Sequence, residues 1–144
     1  MEDSIEDVVS RIRENWPDAQ AQQAGRVISL VRQVRLLQDA AQKALTDFDL
    51  SRTEFEVLAA LRSHPAPHRL TPTDLYDAML MSSGGLTKVL KALEARGLVS
   101  RPDGAGDKRS KPVQLTASGA TLVEAAMPVV QAAEVSLLDG PGAT

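Results

Sequence analysis

The chain has 144 residues, 43% apolar and 24% charged, which suits one globular domain, or one domain carrying an oligomerisation arm. It contains no cysteine, which excludes disulfides, thiolate zinc sites, iron–sulfur clusters and thiol nucleophiles; its two histidines, His64 and His68, leave little for a metal site or a histidine-based triad. The net charge of −3 is unevenly spread, because residues 82–112 hold seven basic groups (Lys88, Lys91, Arg96, Arg101, Lys108, Arg109 and Lys111) against three acidic ones. Such a local basic patch is the footprint of phosphate binding, with a solvated charged face as the plain alternative.

Taken in chain order, residues 3–14 predict a short helix with Ile5, Val8, Val9 and Ile12 on one face, broken at Trp16-Pro17-Asp18. A long helix follows over about 18–47, with Val27, Leu30, Val31, Val34, Leu37, Ala41, Ala44 and Leu45 at three- and four-residue spacing. That stripe exceeds the needs of one small domain, so a partner helix from a second copy is expected, against packing within one chain. Ser51 and Glu54 form a capping box that opens a helix over 51–63, and His64-Pro65-Ala66-Pro67-His68 ends it. The prolines forbid the helical spacing of a two-histidine zinc pair, so no metal is expected there. Thr71 caps a helix over 72–79 with Pro72 at its first position, and Ser82 or Ser83 caps another over 83–96, ended by Gly97. Residues 98–101 and 112–115 read as strands of a hairpin around a glycine-bearing tip. Thr116 caps a last helix over 117–138, which Pro128 should kink unless it ends it.

Three short helices followed by a basic hairpin give a mainly α fold with a small β-hairpin wing: a winged helix-turn-helix with helices on either side. The expected segments are 1–47 for the N-terminal helices, 48–116 for the DNA-binding domain, and 117–144 for the C-terminal helix and tail. In such a motif the helix over 83–96 enters the major groove. Leu86, Leu90 and Leu93 face the core; Ser82, Ser83, Thr87, Lys88 and Lys91 are left for DNA, and Gly84 and Gly85 let backbone approach closely. Lys108, Arg109 and Lys111 put positive charge on the wing, where a narrow minor groove attracts arginine.

The stretch Leu50–Gly119 resembles the MarR family of bacterial transcription regulators. The likeness lies in LSRTEFEVL over Leu50–Leu58, LEARGLVSR over Leu93–Arg101, DKR over Asp107–Arg109 and VQLTASG over Val113–Gly119. The resemblance implies a homodimer on pseudo-palindromic double-stranded operator DNA, with 1–47 and 117–144 as its N- and C-terminal dimerisation helices, Arg109 as the wing arginine and Asp107 supporting it by a charge-assisted hydrogen bond. Many members are released from DNA by a small aromatic or acidic ligand. Trp16, LTPTDL over Leu70–Leu75 and MSSG over Met81–Gly84 are similar to the urate-responsive branch. That branch holds its ligand with a tryptophan, an aspartate and two arginines. Here Trp16 and Arg101 match, Glu56 replaces the aspartate and Val89 stands in place of one arginine. Valine cannot form an arginine fork, so the expectation is a different small organic ligand near Trp16, Glu56 and Arg101, with Trp16 as a packing anchor the alternative.

The function implied is a dimeric, sequence-specific DNA-binding regulator, a repressor released by a small ligand. A winged-helix protein-interaction module without specific DNA binding is the competing possibility. No nucleophile–base pair, metal cluster or nucleotide fingerprint points to an enzyme or a cofactor. The four aromatic residues are too few for a base-stacking single-strand surface. No apolar run approaches the ~20 residues of a spanning helix, and the acidic start lacks a signal-peptide layout, so a cytoplasmic protein without a membrane partner is expected.

Overall fold

Ser4, Ser51, Thr71 and Thr116 each set a helix start by accepting a hydrogen bond from the backbone ahead of them. The computed structural model describes residues 1–79, 85–102 and 111–140, which divide into two units, 1–39 and 40–144. In the first unit, Ser4 Oγ accepts from Asp7 N at 3.0 Å, while Asp7 reaches back to Ser4 N. This capping box opens α1 (Ile5–Asn15). A 3-10 turn over Pro17–Ala19 and a left-handed Gln20 (φ 44°) separate α1 from α2 (Ala21–Ala44). Gly25 allows α1 to lie on α2, because a Cβ there would sit 2.7 Å from Val9 Cγ2. Val27, Leu30, Val31, Val34 and Leu36 of α2 are exposed.

The expected helix over 18–47 is therefore shorter at both ends. Its start is delayed by Gln20, a left-handed residue with no glycine or asparagine to announce it. Its end falls at Ala44, where a second 3-10 turn, Thr46–Phe48, closes on left-handed Asp49 (φ 51°).

The second unit is built on α3 (Arg52–Ser63), α4 (Pro72–Ala78), α5 (Leu86–Ala95) and α6 (Ala117–Leu138). Ser51, Thr71 and Thr116 cap α3, α4 and α6 through side-chain oxygens, as their sequence positions predict. The core gathers Leu45 and Leu50, Val57, Leu58 and Leu61 of α3, Leu75 of α4, Leu90 and Leu93 of α5, and Val123, Ala126 and Val130 of α6. Pro128 lies inside α6 and does not end it.

Two expectations about elements need correction. The helix placed over 83–96 starts at Leu86, and its N-cap is Gly85, not a serine. Gly85 is left-handed (φ 90°), a conformation that glycine adopts without a Cβ penalty, and it supplies no side-chain cap. The hairpin is also one strand short of the real sheet. β1 (Arg69–Leu70), β2 (Val99–Ser100) and β3 (Val113–Leu115) form an antiparallel sheet in the order β1-β3-β2. Arg69 pairs with Gln114 and Leu70 with Val113; Val99 pairs with Leu115 and Ser100 with Gln114. A two-residue strand leaves no periodicity to read, and β1 is defined by pairing alone.

α6 holds no uninterrupted apolar run of spanning length, yet it is apolar on average. Its 22 residues are rich in alanine and valine and broken by two glutamates; an 18-residue stretch of them reaches a mean hydropathy of 1.3, long and apolar enough by composition to cross a membrane. Uninterrupted runs miss this because small residues and isolated charges punctuate it. Val123, Ala126 and Val130 lie in the core, while Val129, Val135, Leu137 and Leu138 are exposed.

Candidate nucleic-acid interface

α5 carries its chemistry on the side opposite its core contacts. Leu90 and Leu93 are buried and Leu86 packs against the core, so the helical period leaves Thr87, Lys88 and Lys91 exposed. Gly85 is exposed at the start of the helix, with open space where a Cβ would stand. At the other end Gly97 (φ 70°) closes a Schellman motif: Gly97 N donates to Glu94 O and Leu98 N to Leu93 O, both at 3.0 Å. The chain then turns directly into β2.

The sheet forms the root of the wing. Arg101, just beyond β2, donates from Nη2 to Lys111 O at 2.9 Å and from Nε to Pro112 O at 3.2 Å. Arg69 adds a side-chain tie across the other pairing, from both Nε and Nη2 to Gln114 Oε1. Thr116 locks the return into α6: its hydroxyl donates to Gly97 O at 2.7 Å and accepts from Gly119 N at 3.0 Å. Of the DNA-contact residues expected from sequence, Gly85, Thr87, Lys88, Lys91 and Lys111 thus lie on α5 or at the wing root. Ser82, Ser83, Gly84, Asp107, Lys108 and Arg109 lie outside the described residues.

A groove of about 500 Å³ runs along the same region, lined by Pro72, Thr73 and Tyr76 of α4, Leu86, Thr87, Leu90 and Lys91 of α5, and Arg101. It combines an aromatic ring and apolar walls with two cationic side chains. Arg101 belongs here, whereas Glu56 does not line it. Glu56 instead pairs with Arg52 at 3.1 Å within α3, and its other oxygen is buried without a hydrogen-bond partner among the described residues. Burial raises the Glu56 pKa above the ordinary carboxylate value, and Arg52 lowers it in part. Trp16 belongs to the first unit, at the C-cap of α1, and is 67% exposed. His64 and His68 each direct Nδ1 at a backbone oxygen, Ala60 O and His64 O respectively.

Sequence reasoning missed the groove-forming role of Tyr76, Pro72 and Thr73. Their helical spacing on α4 puts them on one face, but the identity of the facing helix is a tertiary fact.

A model of the MarR family matches residues 48–110, the segment from the turn before α3 to the wing. The transcriptional regulator PecS of Dickeya dadantii is 32% identical over 119 residues, covering 83% of this chain and 72% of PecS. The chain belongs to the MarR family. Among solved structures, Streptomyces coelicolor Sco3205 in complex with DNA aligns with a TM-score of 0.71 at 25% identity, over 87% of this chain and 77% of that one. Bordetella bronchiseptica BpsR, whose DNA binding is regulated by 6-hydroxynicotinic acid, aligns with a TM-score of 0.66 at 26% identity, over 78% and 79% of the two chains. This MarR-family protein is a winged-helix transcriptional regulator and not an enzyme.

Proposed function

We propose that this MarR-family regulator works in the cytoplasm as a homodimer on double-stranded operator DNA, repressing transcription until a small aromatic or acidic ligand releases it. The observation that carries this reading is the division of α5 into a buried leucine face and an exposed face of Thr87, Lys88 and Lys91, continuous with the wing root at Lys111. A helix so divided can lay its polar face in the major groove while its apolar face holds it to the domain. Within this reading Ser82, Ser83, Gly84 and Gly85 approach the DNA at the helix start. Lys108 and Arg109 reach the adjacent minor groove, with Asp107 supporting Arg109.

Dimerisation is supported by apolar side chains that the single chain leaves uncovered, on α2 from Val27 to Leu36 and on α6 from Val129 to Leu138. Segments 1–47 and 117–144 would supply the dimer helices and 48–116 the DNA-binding domain. Release by a ligand is supported by the α4–α5 groove, where an anion could meet Arg101 and Lys91 beside Tyr76. A ligand held there would bear on both α5 and the wing root. Regulation of BpsR by a small aromatic acid supports the same chemistry.

The test is fluorescence anisotropy of the full chain on duplex DNA from upstream of its own gene, beside a scrambled duplex, at low and near-physiological salt. Binding that prefers the native duplex and is reversed by 6-hydroxynicotinate or salicylate supports the proposal. Equal, salt-labile binding to both duplexes would refute sequence-specific regulation and favour the protein-interaction alternative.

A further inference from the structure

We infer that Arg96 is a positioning residue for the recognition helix, not one of its phosphate contacts. Composition alone would count Arg96 among the cations available to DNA. Its guanidinium is otherwise engaged, with Nη1 2.7 Å from Asp49 O and 3.3 Å from Glu54 Oε2. Its side chain is one-third exposed, that of Glu54 about half as much.

Both acceptors are themselves fixed. Glu54 uses its other oxygen, Oε1, to accept from Ser51 N at 2.9 Å, closing the capping box of α3. Asp49 is the left-handed residue that ends the 3-10 turn between α2 and α3. One arginine therefore ties the C-terminal end of α5 to the turn that leads out of α2 and to the start of α3. A cation at a helix C-terminus also suits the helix dipole.

Such a tie matters to α5 because, among the described residues, its other end carries no side-chain cap. The leucine face fixes which side of the helix is buried more strongly than it fixes tilt along the groove. Reading base edges demands placement within about 0.5 Å and roughly 10–20°. Arg96 supplies a directional, charge-assisted constraint at a distance from the DNA-facing turn. It also makes the α2–α3 turn the place where a shift of α2 would be felt by α5. This inference rests on the operator-binding proposal for its functional consequence, although the tie itself does not.

The test compares Arg96→Met and Arg96→Lys with the parent in the full chain. Operator and scrambled-duplex affinities are measured across a salt series, and backbone hydrogen exchange is followed in the free protein. A positioning role predicts that both variants bind operator roughly tenfold more weakly, the scale of one lost charge-assisted bond. Scrambled-duplex affinity and the parental salt slope are retained, and residues 86–96 exchange faster. Lysine fails despite its charge because both acceptors are met at Nη1, one bond beyond the reach of a lysine Nζ, and its ammonium lacks the fixed plane of the guanidinium.

A salt slope shallower by about 0.9 in Arg96→Met, with parental affinity in Arg96→Lys, would overturn the inference and make Arg96 a phosphate contact. Parental binding and exchange in both variants would overturn it as well. Should Arg96→Met fail to fold, Arg96→Lys decides by the same criteria. If the parent shows no operator preference, the operator proposal fails, and the exchange measurement still decides whether Arg96 holds α5.

Discussion

Gly119→Ala sets helix propensity against packing, and the geometry decides the sign. Alanine is favoured over glycine within a helix by roughly 1 kcal/mol, so in an open first turn of α6 the substitution would stabilise. Here a Cβ would lie 2.1 Å from Leu98 O and 2.8 Å from Leu115 Cδ1. A comfortable carbon–oxygen contact is about 3.3 Å, so about 1.2 Å of relief must come from the backbone. Leu98 O cannot yield cheaply, because it accepts from Thr116 N at 3.1 Å at the junction of β3 with α6. Overpacking costs about 1–3 kcal/mol, and a backbone obstacle puts this site at the upper end. Net destabilisation is then about 2 kcal/mol, lowering Tm by roughly 8 °C for a chain of this length. Thermal unfolding by circular dichroism checks this at one fixed protein concentration, since association would make Tm concentration-dependent. A Tm equal to or above the parent's would refute the reasoning and show that α6 can move off Leu98 freely.

Further expectations follow from the same contacts. Ser51→Ala should cost about 1 kcal/mol of stability through the lost cap of α3, measurable by denaturant unfolding; an unchanged midpoint would show the capping box to be idle. Glu56 has its pKa raised by burial, so its contribution to stability is present below the ordinary carboxylate pKa and is lost as pH rises through the raised value. Glu56→Gln should therefore gain on the parent from about pH 4 towards neutrality, and a pH-independent difference in unfolding free energy would contradict this. Lys88→Ala should change the order of preference among operator variants if Lys88 reads bases, whereas a uniform loss would make it a phosphate contact. Arg109→Ala should weaken operator binding and reduce the salt slope by about 0.9 if Arg109 meets a phosphate. An unchanged slope would leave a minor-groove base contact as its role.

What the sequence made legible follows the range of the interactions concerned. The starts of α3, α4 and α6 were readable because Ser51, Thr71 and Thr116 act within three residues of themselves. The turn at Gly97 was readable for the same reason, since a left-handed glycine needs only its own helix to form the closing hydrogen bonds. β1 was not readable, because Arg69 and Leu70 are a strand only by virtue of Gln114 and Val113, more than forty residues away. The start of α5 was misread because two serines looked like better caps than Gly85, whose value lies in its backbone angle. On the candidate interface, the exposed face of Thr87, Lys88 and Lys91 came directly from helical periodicity. The different uses of Arg96 and Arg101 did not, because composition counts an arginine as a free cation until its acceptors are known. Both guanidiniums turn out to hold backbone carbonyls of neighbouring segments.

The central place of β3 in the three-stranded sheet has an evolutionary consequence. A wing made only of β2 and β3 would depend on the connecting turn for its alignment, and a change in the length of that turn would threaten to slide one strand along the other. Here β3 is also held from its far side, through Leu70 and Val113 and through the Arg69–Gln114 side-chain tie. Its alignment is thereby insulated from whatever residues 103–110 become. Descendants of this protein can lengthen, shorten or recharge that segment without renegotiating the domain that carries it.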